Sequence, residues 1–346
     1  MTREEARSSA DGGDGVTEIR EATAGDNDAL IELERQSPLD LGDRTLVFDR
    51  SPNFFAHQEM QEHGRVLVAE EEGRLVAVVA GAWHDVMIDG QRRRLLYVHQ
   101  GRTLPEYRRR HVATDLVIRN FLLAREENVE RPYWLISPDN STSLAFNRQI
   151  EVESWPVEGR IDGFDVTARR PPAREVAALA PDDLPRVLEL VNATHSGREM
   201  FLPYTEESLQ RRLQRSPDYS WQHWRGYRSK KGLVAAAGMW DYNRSLRIAV
   251  HSKAGDTLHV SAPAYVLDYG YSDGAEEAMV EVLMSLMEIA AQKERNDLWI
   301  ALPVERRLHA IMEDFPHTTT LFQILTPGIP TPAAVDGSVY LDPVYV

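Results

Sequence analysis

Cysteine is absent from this chain of 346 residues. That excludes disulfides, thiolate-bound metals and a cysteine nucleophile, and it makes a reducing, cytoplasmic setting the expectation. Apolar runs long enough to cross a bilayer are missing as well, so no membrane partner is expected. The 11 histidines contain no His-x-x-x-His pair, which leaves no metal site to predict. No Gly-x-x-x-x-Gly-Lys-Ser/Thr loop is present, which argues against an NTPase. Positive charge is in deficit. With 39 Lys+Arg against 54 Asp+Glu the net charge is −15, whereas a nucleic-acid partner would need a basic face.

What remains is a globular composition, 42% hydrophobic and 27% charged, in a length comfortable for two domains. Residues 1–16 are rich in Asp, Glu, Gly and Ser, lack an apolar core and read as a disordered tail rather than a signal peptide. From 17 to 168 strands and helices alternate. A strand at Thr17–Ala22 leads to a helix bearing Leu30, Ile31 and Leu33, then an irregular span from Asp40 to Gly64. Strands follow at Val66–Glu70 and Leu75–Ala82, the second apolar enough to be buried on both faces. Asp89-Gly90 marks a hairpin tip. The strand Arg94–Leu104, a helix from Thr114, the strand Trp134–Ser137 and a helix after Asn140 come next. Two closing strands are expected near Ser154–Val157 and Phe164–Arg169.

Residues 169–174, with Pro171-Pro172, read as a linker, and the same grammar restarts over 175–346. Here the strand Gly232–Trp240, the strand Tyr265–Gly270, the strongly periodic helix Glu276–Gln292 and the strand Leu298–Leu302 parallel elements of the first half. Late strands are expected near Phe322–Leu325 and Val339–Val344. A repeat of this length indicates a duplicated domain.

Chemistry concentrates at Leu104-Pro105-Glu106-Tyr107-Arg108-Arg109-Arg110-His111-Val112-Ala113-Thr114. An apolar strand leads in and an amphipathic helix leads out. Helix N-termini present unpaired N–H groups and the positive end of the dipole, which makes an anion site, and three arginines add to it. The segment resembles the acyl-CoA-binding signature of the GNAT N-acetyltransferases, Arg/Gln-x-x-Gly-x-Gly/Ala after a strand. Arg108 and Ala113 fit it, while His111 stands where the family usually has glycine.

A second segment, Asp139-Asn140-Ser141-Thr142-Ser143-Leu144-Ala145-Phe146-Asn147, is similar to the family's Asn-x-x-Ala-x-x-Leu-Tyr element, with Asn140, Ser143 and Phe146 on the matching positions. Asn147 falls where many members carry the tyrosine that protonates the departing thiolate, and an amide has no titratable proton for that task.

The resemblance implies an α/β (α+β) fold of two tandem GNAT-like domains, each a mixed, mostly antiparallel sheet flanked by helices. It also implies acyl transfer from acetyl-CoA or another acyl-CoA to a small-molecule or peptide amine. The donor would lie along Leu104, Arg108, Arg109, Arg110, His111, Val112, Ala113 and Thr114, with Asn140, Ser143 and Phe146 beside its arm. The amine needs a base; His99 on the fourth strand titrates nearest neutrality, and Glu70 is the second candidate. The counterpart turn, Tyr269-Gly270-Tyr271-Ser272-Asp273-Gly274-Ala275-Glu276-Glu277, has no arginine and three carboxylates that repel a pyrophosphate, so one donor site is expected. An acyl-CoA-binding protein with little or no catalysis is the alternative, motivated by His111 and Asn147.

Overall fold

The run Val76-Ala77-Val78-Val79-Ala80 is buried along its whole length and forms the spine of the first half, where branched side chains are covered on both faces. The computed structural model describes residues 17–149, 153–241, 246–303, 306–329 and 339–346; the expected tail, 1–16, lies outside the described residues. The first half contains β1 (Glu18–Glu21), β2 (Leu39–Asp40), β3 (Arg44–Asp49), β4 (Gly64–Glu71), β5 (Arg74–Ile88), β6 (Gln91–Thr103), β7 (Arg131–Ile136) and β8 (Glu153–Asp165). Its helices are α1 (Asn27–Gln36), α2 (Ala56–Met60), α3 (Val112–Arg125) and α4 (Ser141–Gln149). The second half adds β9 (Ala177–Ala178), β10 (Trp224–Ser229), β11 (Gly232–Trp240), β12 (Arg247–Ser252), β13 (Thr257–Ser261), β14 (Pro263–Tyr271), β15 (Asp297–Ile300) and β16 (His317–Thr326). Its helices are α5 (Leu184–His195), α6 (Glu206–Gln214), α7 (Glu276–Gln292) and α8 (Arg307–Met312).

Twelve strands form one sheet in the order β1-β4-β5-β6-β7-β16-β8-β15-β14-β11-β10-β9. Read inward from either edge, the pattern is the same. Antiparallel strands lead to one parallel pair, β6–β7 in the first half and β14–β15 in the second. At the middle the halves trade strands: β16 of the second half pairs with β7, and β8 of the first pairs with β15. A smaller sheet, β13-β12-β3-β2, mixes the halves again through β3 and β12, from Asp49↔Arg247 to Arg44↔Ser252.

Three expectations are corrected here. The two closing strands near 154–169 are a single strand, β8, which pairs with β16 on both sides of one irregularity and ends in a 3-10 turn, Val166–Ala168. The irregular span 40–64 contains β3, which pairs on one side with the short β2 and on the other with β12 about 200 residues away, a contact local pattern does not carry. Residues Val339–Val344 make one bridge, Glu199↔Val339, and then a 3-10 turn rather than a strand.

One core cluster spans both halves: Ala82, Tyr97 and Tyr133 pack with Trp240, Tyr265, Ile324, Tyr340 and Tyr345. Helix α3 covers the opposite face of β5 and β6, and α7 does the same for β11 and β14.

Candidate active site

The basic turn is built on a buried anchor. Leu104 is 1% exposed and its N–H donates to Val76 O at 3.0 Å, so β6 stops there and Pro105–Tyr107 form a 3-10 turn. Arg109 (φ 67°) and His111 (φ 63°) both lie in the left-handed region. His111 is the N-cap of α3, and no side chain caps that helix. A residue with a Cβ takes this conformation only at a cost. The turn imposes the backbone that a glycine would adopt freely, and His111 bears a cost of about 1 kcal/mol for it. Val112 is buried while the side chains of Arg108, Arg109, Arg110 and His111 are exposed. Arg108 Nε donates to Thr103 O at 3.3 Å, and Arg110 lies over the Tyr107 ring at 5.0 Å, 3.9 Å from Glu71. Thr114 and Ala113 occupy the first turn of α3. Left-handed residues, an uncapped helix N-terminus and exposed guanidinium groups together fit a pyrophosphate.

Beside this turn the sheet opens. β6 and β7 are paired from Leu95↔Arg131 to Tyr97↔Tyr133 and no further; β7 continues against β16. β6 carries a bulge just past the parting. Ala80 faces His99 and Val78 faces Arg102, so Gln100 and Gly101 share the place opposite Val79. Gln100 takes φ 51°, and its side chain accepts from Gln58 Nε2 at 2.5 Å. The bulge interrupts the regular register of β6 at the gap.

His99 stands at that gap. Its ring stacks on Tyr97 with 4.7 Å between centroids and lies 5.0 Å from His57, and its Nε2 is 3.2 Å from Gln61 Nε2. Burial pushes it well below the ordinary imidazole range, and His57 and Arg50 act in the same direction. His57 itself is held at about 3, chiefly by burial, with Nε2 bonded to Val344 O at 2.7 Å. Glu70 is elsewhere: it pairs with Arg20 at 2.8 Å, within a network that includes Asp26, on the side of β4 next to β1. The structure therefore brings His99 to the gap and leaves Glu70 outside it. Asn140 is buried and caps α4, its Oδ1 accepting from Ser143 N at 3.0 Å, with Phe146 half-buried one turn on. Asn147 turns its Nδ2 back to Ser143 O at 2.8 Å, which leaves its buried Oδ1 without a partner.

On the far side of the gap from α3, a cavity of about 340 Å³ separates the halves. Its floor is His84, Tyr133 and Leu135; the second half supplies Phe201, Tyr204 and Tyr345 among others. Arg212 is part of its lining, bound to Asp342 by two contacts of 2.8 Å and to the buried Asp268 at 2.9 Å. Burial alone would lower the Arg212 pKa; the charges of Asp268 and Asp342 outweigh it and keep the group cationic. His84 and Tyr133 were not singled out from the sequence; each is a lone polar residue on a buried strand, with no spacing to mark it.

The second half has the same frame without the chemistry. β14 and β15 pair from Pro263↔Asp297 to Tyr265↔Trp299, and β14 bulges at Leu267 between Gly238↔Asp268 and Met239↔Val266. Asp268 then anchors Arg212, Tyr204 and Tyr219. A Cβ on Gly270 would lie 2.3 Å from the Leu190 carbonyl carbon, so that glycine lets α5 approach β14. Residues 270–274 also spell Gly-x-Ser-x-Gly, running from the end of β14 into the turn before α7. The Ser272 hydroxyl accepts from Arg186 at 2.9 Å, and no histidine is among its described hydrogen-bond partners, so the arrangement of a nucleophile is absent.

Residues 18–135, which include both the gap and the basic turn, match the sequence model of the Acetyltransferase (GNAT) domain. The match is confined to the first half, which resembles a GNAT domain in sequence as well as in its strand order. Among curated proteins none matches it in sequence. GNAT folds recur across its whole length. N-myristoyltransferase of Saccharomyces cerevisiae, crystallised with bound myristoyl-CoA, is 10% identical with a TM-score of 0.66 over 96% of this chain and 89% of that one. A GCN5-related N-acetyltransferase from Sphaerobacter thermophilus is 12% identical with a TM-score of 0.58 over 94% of this chain and 98% of that one. A glucosamine N-acetyltransferase region of a fungal multi-domain β-N-acetylglucosaminidase is 10% identical with a TM-score of 0.60 over 91% of this chain and 38% of that one. At these identities the likeness is one of fold, and the tandem GNAT architecture follows from it. No described helix is long and apolar enough to cross a membrane.

Proposed function

We propose that the protein is a cytoplasmic N-acyltransferase that uses acetyl-CoA, with one donor site in the first half and its amine acceptor in the cavity between the halves. The observation that carries this reading is the parting of β6 and β7 after Tyr97↔Tyr133, beside the uncapped, arginine-flanked start of α3. Arg108, Arg109 and Arg110, with the N–H groups of His111, Val112, Ala113 and Thr114, hold the pyrophosphate; Leu104 anchors the turn. Asn140, Ser143 and Phe146 sit at the start of α4, where the donor's arm passes. Bound there, the thioester supplies the acyl carbon, and the N–H groups at the β6 bulge polarise its carbonyl.

His99 is the proposed base. Held below its ordinary range, it is neutral at pH 7 and able to take the proton that the nitrogen sheds once the new C–N bond forms. The aromatic lining strips water from the acceptor and so favours a neutral amine. Small-molecule and peptide amines both fit an opening of this kind. The test is a screen of amines of both classes with acetyl-CoA, read by free thiol. Amine-dependent release of CoA is the expected result. Tight acetyl-CoA binding with no acceptor-dependent release would move the assignment to a binding protein, the reading that the tied-back amide of Asn147 favours.

A further inference from the structure

The position from which GNAT relatives supply a proton to the leaving thiolate holds Asn147, whose amide has none to give and is bonded to its own helix. Two side chains on the cavity floor offer what is missing. Tyr133 is the last β7 residue paired with β6, is 1% exposed, and lies with its ring 5.2 Å from that of Tyr97. Its hydroxyl shares a hydrogen bond of 2.8 Å with His84 Nε2. His84 reaches the same floor from β5, where it is registered with Leu95, and its ring is stacked on Tyr345 with 3.7 Å between centroids. Both side chains are therefore fixed by packing, and both line the cavity at the point where the two strands part. Burial keeps the phenol well above its usual range and His84 at about 4, so the pair is a phenol beside a neutral imidazole at pH 7. In the second half the matching place on β15 holds Trp299, which has no hydroxyl.

We infer that Tyr133 is the proton donor to the departing thiolate and that His84 is the positioning residue that orients its hydroxyl. This rests on the acyl-transfer reading above. The amine nitrogen forms the C–N bond and the C–S electron pair leaves on sulfur. Sulfur takes the Tyr133 proton, His99 takes the surplus proton of the nitrogen, and His84, as its Nε2–H tautomer, donates to the phenolate until water in the cavity returns a proton to it. The His99 proton leaves to solvent, and the sum is acyl-CoA plus amine giving amide plus free CoA.

Hydroxylamine, a small acceptor that needs no specific pocket, serves as the probe with acetyl-CoA. Tyr133→Phe is expected to lower kcat by about 100-fold, the ordinary worth of a placed acid, with the KM and the calorimetric Kd for acetyl-CoA unchanged. His84→Leu is expected to lose about tenfold, and His84→Gln, which keeps an N–H donor, to recover most of it. A Tyr133→Phe protein that binds acetyl-CoA and turns over at the wild-type rate overturns the inference. If that variant does not bind acetyl-CoA, the His84 pair decides: equal rates for Gln and Leu overturn it, and a clearly faster Gln variant supports it. Wild-type protein that binds acetyl-CoA yet releases no CoA above the protein-free rate overturns the acyl-transfer reading itself, and the donor with it.

Discussion

The two halves of this protein share a frame and differ in what they put at its opening. Each has a parallel pair that parts after three residues, a bulge in the longer strand, and a helix starting just beyond. In the first half the helix start meets Arg108, Arg109 and Arg110 and the gap is lined by His99 and Tyr133. In the second the helix begins with Glu276 and Glu277, and the bulge is tied to Arg212, Tyr204 and Tyr219 by the buried Asp268. The same geometry carries exposed arginines and a cavity-lining phenol in the first half, and a buried ion-paired joint in the second. On the proposed reading the first copy holds the donor site, and the second supplies the far wall of the cavity.

That contrast can be broken most forcefully at the basic turn. Arg108→Glu with Arg110→Glu should weaken acetyl-CoA binding by about 100-fold or more, since each charge-assisted contact is worth about 1.5–3 kcal/mol. Calorimetry on the wild-type chain should give one site. A second equivalent site, or an unchanged affinity in the double variant, would end the assignment of one working copy.

Gly270 sharpens it next. Adding a Cβ 2.3 Å from the α5 backbone should cost about 3 kcal/mol in chemical denaturation while leaving acetyl-CoA affinity intact in the folded fraction. Loss of affinity with full stability would instead make Gly270 part of a cofactor site.

Acid should act on the first half through its buried rings. His57 and His84 are held at about 3 and about 4, below an unfolded value near 6.5. Their folded pKa is depressed, so the unfolded chain binds more protons. The stability they allow is fully present above pH 6.5 and falls by about 1.4 kcal/mol per unit per ring as pH drops toward those values. Thermal melts between pH 7 and pH 4.5 should show this, and His84→Gln should flatten the dependence. An identical slope in that variant would mean that His84 is not held neutral in the fold.

The smallest effect is at His111. His111→Gly relieves a left-handed residue but frees the unfolded backbone, for a net gain of up to about 1 kcal/mol with acetyl-CoA affinity unchanged. Loss of affinity would make the imidazole a ligand to the donor.

How much of this was legible in the sequence follows the range of the interactions. The spine strand, α3, α7 and the Asp89-Gly90 tip (φ 49° and 69°) are local patterns, and they appear where periodicity and turn chemistry place them. β3 and β12 went unread because they pair with each other across about 200 residues, and β10 and β13, short and polar, went unread although their partners β11 and β12 adjoin them in sequence. Trp224, in an aromatic-rich stretch with Trp221 and Tyr227, is fully buried in the core. Motif resemblance marked the basic turn and Asn140. Nothing local marks Tyr133 or His84, whose meaning comes only from a 49-residue separation closed by the fold.

The exchange of β8 and β16 also sets a timetable. As the chain leaves the ribosome, β7 waits as an open edge for nearly 200 residues until His317–Thr326 is made, so the gap between β6 and β7 has only one finished wall until then. Pairings of such long sequence separation close late and slowly, and an open strand edge invites association with other chains meanwhile. The nascent first half is therefore a natural client for chaperones, and ribosome-stalled chains ending before residue 317 should remain protease-sensitive at β7 where longer ones do not.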